Sequence, residues 1–369
     1  MFRLKRQIIW CDLSVLCGLL IRRVSAVVLM LALVFVLAGP APAEAALIST
    51  KEEISIGRDV AKDLEKKYGL VDDPALQERV ARIGARLVEV CDRKELPYTF
   101  KVLNSKEVNA LSLPGGFIYV FKGLVDYMPS DEELAGVLGH ELGHVVKRHS
   151  VRQMEKSLAV SLIFGAVLGD RAALLQNLAY NAIMAGYSRD DEREADYLGY
   201  LYSTRAGYNP YSMIMAMQKL ADLENKPSYG IFSSHPEPEA RLGRLQAYIK
   251  KDNIRPQVIV SGKSAQVVDG TWQLPAFFSA YNNYKPIYRA YFTAGALYQV
   301  AQHYPNLSGD YFYLTSDGTN MTVYYDDMAI TTLTPADAAD HGQDLAAFAE
   351  NYVLKLREWA ERRRTAATD

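Results

Sequence analysis

The chain has 369 residues, room for two domains and a sizeable core, and its 49% hydrophobic and 23% charged residues are ordinary for a globular protein. A formal net charge of -2 argues against nucleic acid or an anionic surface as the main partner. Of three cysteines, Cys11 and Cys17 fall in an N-terminal targeting region, which leaves Cys91 without an intrachain partner; a bound metal would have to be held by histidine and carboxylate.

Residues 1–45 read as an export signal. Arg3, Lys5, Arg6, Arg22 and Arg23 make a basic start, Val24 to Gly39 is apolar, and Ala43-Glu44-Ala45 is a small-residue cleavage pattern. The expectation is a periplasmic protein beginning near Ala46, with no stable membrane span after cleavage; an uncleaved anchor from Val24 to Ala43 is the rival reading. A helix from Thr50 to Tyr68, capped by Thr50 and Glu53 and stopped by Gly69, comes next. Asp73-Pro74 opens a second helix through Val90, and Tyr98 to Leu103 alternates as a strand. After Asn109-Ala110, the turn Leu113-Pro114-Gly115-Gly116 leads into a second strand, Phe117 to Phe121, whose free edge is a candidate seat for an extended peptide.

Pro129 to Ser150 carries the most specific signal. Ser130 and Glu133 form a capping box, and Leu134, Val137, Leu138, Leu142 and Val145 supply an apolar stripe, so the segment is expected to be helical. Within it lies HELGH: His140 and His144 are four apart, which puts both imidazoles on one face where a single zinc ion can bridge them. Glu141 sits about 100° around the helix, placed for a water on the metal rather than for the metal itself. Gly136, Gly139 and Gly143 weaken an isolated helix, and their spacing predicts another element packed hard against this one. His149 falls off the metal face and reads as structural.

Leu158 to Gly169 is an apolar run too short to span a membrane, and Ala172 to Gly186 leads on to SRDDEREAD. There Glu192 and Asp196 lie four apart on one helical face, an inward carboxylate pair of the kind a two-histidine site lacks; Glu194 points about 200° away and is the weaker candidate. That helix ends at Gly207, the next runs from Tyr211 to Asn225, and Ser234-His235-Pro236 forms a stiff loop before a helix from Glu239 to Lys250. His235 is a candidate for delivery to the metal, either as an inhibitory fourth ligand, the preferred reading, or as a donor to the developing oxyanion.

Arg255-Pro256 marks an expected boundary between the domain that carries HELGH (46–255) and a C-terminal domain (256–369). Ten tyrosines lie between Tyr281 and Tyr325. A strand from Gln257 to Gly262, a helix from Pro286 to His303, a hairpin across Tyr311 to Tyr325 and one long helix from Thr334 to about Arg364 are predicted. The fold class is therefore mainly α with a small β-sheet, plus a smaller α+β domain at the C-terminus. No internal repeat and no catalytic constellation stands out in the second part, which is a candidate docking module for an envelope assembly complex.

HELGH, Ser188-Arg189-x-x-Glu192-x-x-Ala195-Asp196 and NALSLPGGFIYV together resemble the zinc metallopeptidases of the HtpX and CAAX-prenyl-protease family, a gluzincin family, over about Thr50 to Lys250. GYNP and SHPEPEARL look like later motifs of the same family. The resemblance is nearest to its soluble exported branch, and implies one zinc per chain held by His140, His144 and Glu192. It implies that Asp196 steadies a zinc-bound histidine and that Glu141 is the general base. It also implies an active-site edge strand carrying Asn109, Gly115, Gly116 and Phe117. Unfolded or misassembled envelope proteins are the expected substrates. A chaperone that binds extended polypeptides, with latent protease activity, is the competing class.

Overall fold

The computed structural model describes residues 47–163, 171–223 and 238–366. The chain divides into Met1–Leu47 and Ile48–Asp369, and the second unit is the one built up below; the export segment and His235 lie outside the described residues. The first helix, α1 (Thr50–Tyr68), starts one residue earlier than the sequence predicts, with Ser49 as its cap and Glu52 returning the bond to the Ser49 backbone. Both pairs have the right spacing; the one used is Ser49/Glu52, directly after the buried Ile48. Helix α2 (Pro74–Val90) begins at Asp73 with Pro74 in its first turn, as expected.

A three-stranded sheet follows, made of β1 (Thr99–Leu103), β2 (Ala110–Leu113) and β3 (Phe117–Phe121) in the order β1-β3-β2. This corrects the edge-strand assignment. Phe117 opens a central strand, paired in parallel with β1 through Thr99 and antiparallel with β2 through Leu113. The outer strands are β1 and β2; of β2 the sequence places only Leu113 in the turn and gives Ala110 to Ser112 no element. Asn109 directly precedes β2, and Gly115 and Gly116 make the connection to β3. Gly115 (φ 78°) and Gly116 (φ 96°) hold the left-handed backbone that folds β2 back on β3.

The short α3 (Lys122–Tyr127) leads to α4 (Asp131–Val146), which carries HELGH and has the predicted Ser130/Glu133 box. Then come α5 (His149–Ile163), α6 (Arg171–Met184), α7 (Arg189–Arg205), α8 (Ser212–Ala221) and α9 (Pro238–Lys251). The three glycines of α4 lie where helix backbones nearly touch. A Cβ on Gly136 would come within 2.7 Å of the Ser212 backbone of α8, and one on Gly139 within 3.1 Å of the Gly199 carbonyl of α7. One on Gly143 would stand 3.1 Å from Ala195 Cα, also on α7. The predicted close neighbour is therefore two helices.

Past Arg255, β4 (Gln257–Ser261), β5 (Ser264–Asp269) and β6 (Trp272–Gln273) form an antiparallel sheet in that order. Helix α10 (Pro286–His303) spans the predicted residues. The predicted hairpin is a three-stranded sheet, β7 (Phe312–Ser316), β8 (Met321–Tyr325) and β9 (Met328–Leu333). The single C-terminal helix expected from Thr334 is two, α11 (Pro335–Asp340) and α12 (Leu345–Ala366), parted at Gly342, whose φ of 67° no helix accommodates. One apolar core crosses the Arg255 boundary: Tyr211, Met213, Met215, Leu245 and Ile249 pack with Trp272, Leu297, Tyr352 and Trp359. No helix among the described residues is long and apolar enough to cross a membrane.

Candidate metal centre

The close approach of α4 and α7 builds the site. On α4 the contact face reads Gly139, His140, Gly143, His144; on α7 it reads Glu192, Ala195, Asp196, Gly199. Both follow the three- and four-residue steps of one helical face, and the small residues bring the polar ones into reach. His140 Nε2 and His144 Nε2 lie 3.0 Å apart. Glu192 stands 3.6 Å from the first through Oε2 and 3.5 Å from the second through Oε1. All three side chains are buried, and their ligand atoms lie within 4.8 Å of one another.

The donor set fits zinc. Two imidazole nitrogens and a carboxylate oxygen are the usual protein ligands of a catalytic site, and tetrahedral bonds of their ordinary length separate two nitrogens by about 3.3 Å. Glu141, 1% exposed, follows His140 directly on the helix.

Asp196 sits behind the first histidine, its Oδ1 3.1 Å from His140 Nδ1. Arg241 on α9, to which sequence reasoning assigned no role, grips that carboxylate through Nε at 2.8 Å and Nη2 at 2.5 Å, and its Nη1 reaches Glu192 Oε2 at 2.7 Å. Burial alone would raise the Asp196 carboxyl, but the Arg241 guanidinium and the His140 hydrogen bond hold it at about 2. Burial works against the Arg241 charge too, yet Asp196 and Glu192 raise its pKa further. The signal in the sequence was the carboxylate pair itself. Two buried acids close together demand a cation, and Arg241 supplies one.

Two further residues lie against His144. His149 Nδ1 is 2.8 Å from His144 Nδ1, and His149 Nε2 is 3.0 Å from Glu194 Oε2. The Tyr187 ring stacks on His144 with centroids 3.8 Å apart, and its hydroxyl is 2.8 Å from Ser150 Oγ. Burial, and after it the charge of Glu141, pushes the Tyr187 phenol up, which keeps it neutral. Glu194 thus stands outside the metal cluster, as its position on the helix implied.

A family model for peptidase family M48 matches residues 74–249, and one for a domain of unknown function matches residues 265–363. Metalloprotease YcaL of Escherichia coli (strain K12) is 32% identical over 201 residues, which cover 53% of this chain and 74% of that protein. The chain belongs to peptidase family M48. The β-barrel assembly-enhancing protease of Escherichia coli (strain K12) is 29% identical to this M48 chain over 231 residues, 58% of this chain and 47% of the relative. The chain thus spans about half the length of that protein. Mitochondrial metalloendopeptidase OMA1 of Schizosaccharomyces pombe is 26% identical over 235 residues, 62% of this chain and 68% of the relative.

Proposed function

We propose that this M48 chain is an exported zinc endopeptidase that hydrolyses unfolded or misassembled envelope proteins. The observation that carries the reading is the convergence of His140 Nε2, His144 Nε2 and the Glu192 carboxylate at one buried point, with Glu141 beside them. Zinc bound by these residues supplies Lewis acidity and brings the pKa of a water down to about 7. Glu141 accepts a proton at its carboxylate and delivers it to the leaving amine. Asp196 accepts from His140 Nδ1–H, which leaves His140 Nε2 bare for the metal, and Arg241 keeps Asp196 ionised for that task. A pure binding protein has no use for Glu141 at this place, and this favours the enzyme over the chaperone.

The names of the relatives, a metalloprotease, a metalloendopeptidase and a β-barrel assembly-enhancing protease, support a polypeptide substrate, and the last of them a link to β-barrel assembly. The substrate strand of the reading is β2, one of the two outer strands of its sheet, along which an extended backbone can pair. Export follows from the basic, apolar and small-residue order of residues 1–45, with Ala46 as the mature N-terminus. The C-terminal part, rich in tyrosine, is the candidate attachment to an assembly complex.

Purified mature protein should hold a single zinc by elemental analysis and cleave unfolded casein. Glu141→Gln should keep the metal and lose about 10²-fold or more of the cleavage. Undiminished cleavage by that variant would overturn the mechanism.

A further inference from the structure

The inference rests on the metal site proposed above and concerns how His144 is made ready for it. An imidazole binds a metal through a bare ring nitrogen, so His144 Nε2 must carry no proton and Nδ1 must carry one. Nothing on α4 itself imposes that choice. His144 Nδ1 faces His149 Nδ1 at 2.8 Å, a contact between two like atoms that does not by itself say which one donates.

The next residue outward decides. His149 Nε2 lies 3.0 Å from Glu194 Oε2 and 3.5 Å from Asp191 Oδ1. A carboxylate only accepts, so the proton of a neutral His149 sits on Nε2 and its Nδ1 is a bare acceptor. His144 Nδ1 must then donate, and His144 Nε2 is left bare, facing His140 Nε2 and Glu192. Any other order puts a proton where the metal would bind.

We propose that His149 is a positioning residue, which passes the tautomer demanded by Glu194 to the metal ligand His144 and fixes the rotation of its ring. The two ligands are then prepared by different means. His140 leans directly on the carboxylate of Asp196, whereas His144 reaches its carboxylate through a second imidazole. Tyr187, stacked at 21° on the His144 ring, sets the plane within which His149 sets the rotation.

The rival use of the same residues is a second cation site, because ligand atoms of His149, Asp191 and Glu194 also lie within 4.8 Å of one another. Arg152 argues against it. Its guanidinium already neutralises both carboxylates, at 2.8 Å from Asp191 Oδ1 and 3.3 Å from Glu194 Oε2.

The test measures zinc and cobalt affinity of the full chain by chelator competition, together with the visible spectrum of the cobalt form. His149→Leu should weaken binding by about 10 to 100-fold and alter the cobalt spectrum. His149→Gln should restore most of the loss, because its amide can accept from His144 and donate to Glu194. Glu194, whose side chain is 45% exposed, is replaceable without threat to folding. Glu194→Ala should weaken binding by up to about 10-fold, Asp191 standing in as the acceptor, and should add little once His149 is Leu. Wild-type affinity in folded His149→Leu, or in Glu194→Ala should His149→Leu not fold, overturns the proposal while the metal site stands. Two metals per wild-type chain, the second lost with Glu194, overturns it in favour of the rival. A wild-type chain that binds neither metal overturns this proposal and the proposed function together.

Discussion

Among the described residues, two bidentate arginine–aspartate pairs are buried, one on each side of Arg255, and they do different work. Arg241 holds Asp196 at 2.8 and 2.5 Å, and Arg289 on α10 holds Asp337 on α11 at 2.6 and 2.7 Å. Asp196 passes its charge on to His140, so the pair ends at a histidine of the candidate metal centre. Asp337 turns to the Thr334 backbone and hydroxyl, both at 2.8 Å, and the pair ends in a helix cap. Around Asp196 lie further buried charged and ionisable groups (Glu141, His144, His149, Glu192), whereas around Arg289 lie rings such as Phe277 and Tyr281. Buried charge therefore marks a reactive site only where its partners point at a shared space. A buried ion pair whose every oxygen is taken up by its own fold is part of the scaffold.

The largest expected contrast is in metal content. Glu192→Ala removes a proposed ligand and should take zinc well below that of wild type in elemental analysis, whereas Asp337→Asn should leave it unchanged; equal metal loss in both would erase the distinction. Next comes stability, where either half of a broken buried pair leaves an unpaired charge costing about 3–5 kcal/mol. Arg289→Ala should lower the urea midpoint accordingly at unaltered zinc affinity, and Arg241→Ala should lower both. A smaller effect tests the packing that brings α7 to the metal. Gly139→Ala adds a methyl 3.1 Å from the Gly199 carbonyl and should destabilise by about 1–3 kcal/mol, with weaker zinc binding as Glu192 is pushed back. Smallest of all is Lys122→Ala, which breaks only a surface pair with Asp126 at 2.6 Å and should change stability by less than about 1 kcal/mol. An effect on zinc there would show that the site is not insulated from the surface.

Reading the residues recovered α2, α4, β3 and α10 closely, because each carries its own local signals: Asp73-Pro74, the Ser130/Glu133 box, a short apolar run after two glycines, and Pro286 in a first turn. Strand β2 escaped because four residues beside a Pro-Gly-Gly turn have no periodicity to read; only pairing with β3 makes them a strand. The sequence puts His149 off the face that carries His140 and His144; in the structure it lies past the end of α4 and opens α5. Its contact with His144 arises because the chain leaves α4 through Arg148, at φ 56°, and starts α5 with His149 turned back.

The sequence by itself determined that a helix would present His140 and His144 on one face with Glu141 between them, and that Glu192 and Asp196 would share a face elsewhere. Those are consequences of the helical repeat, which needs no distant partner. Only the tertiary structure decided that the two faces meet, since that depends on glycine-to-glycine contact between α4 and α7 across some 60 residues of chain. It also decided which cation neutralises the acids, because Arg241 lies 45 residues past Asp196 and reaches it only through the packing of α9. Local rules set which groups an element displays; close packing of distant elements sets what those groups touch.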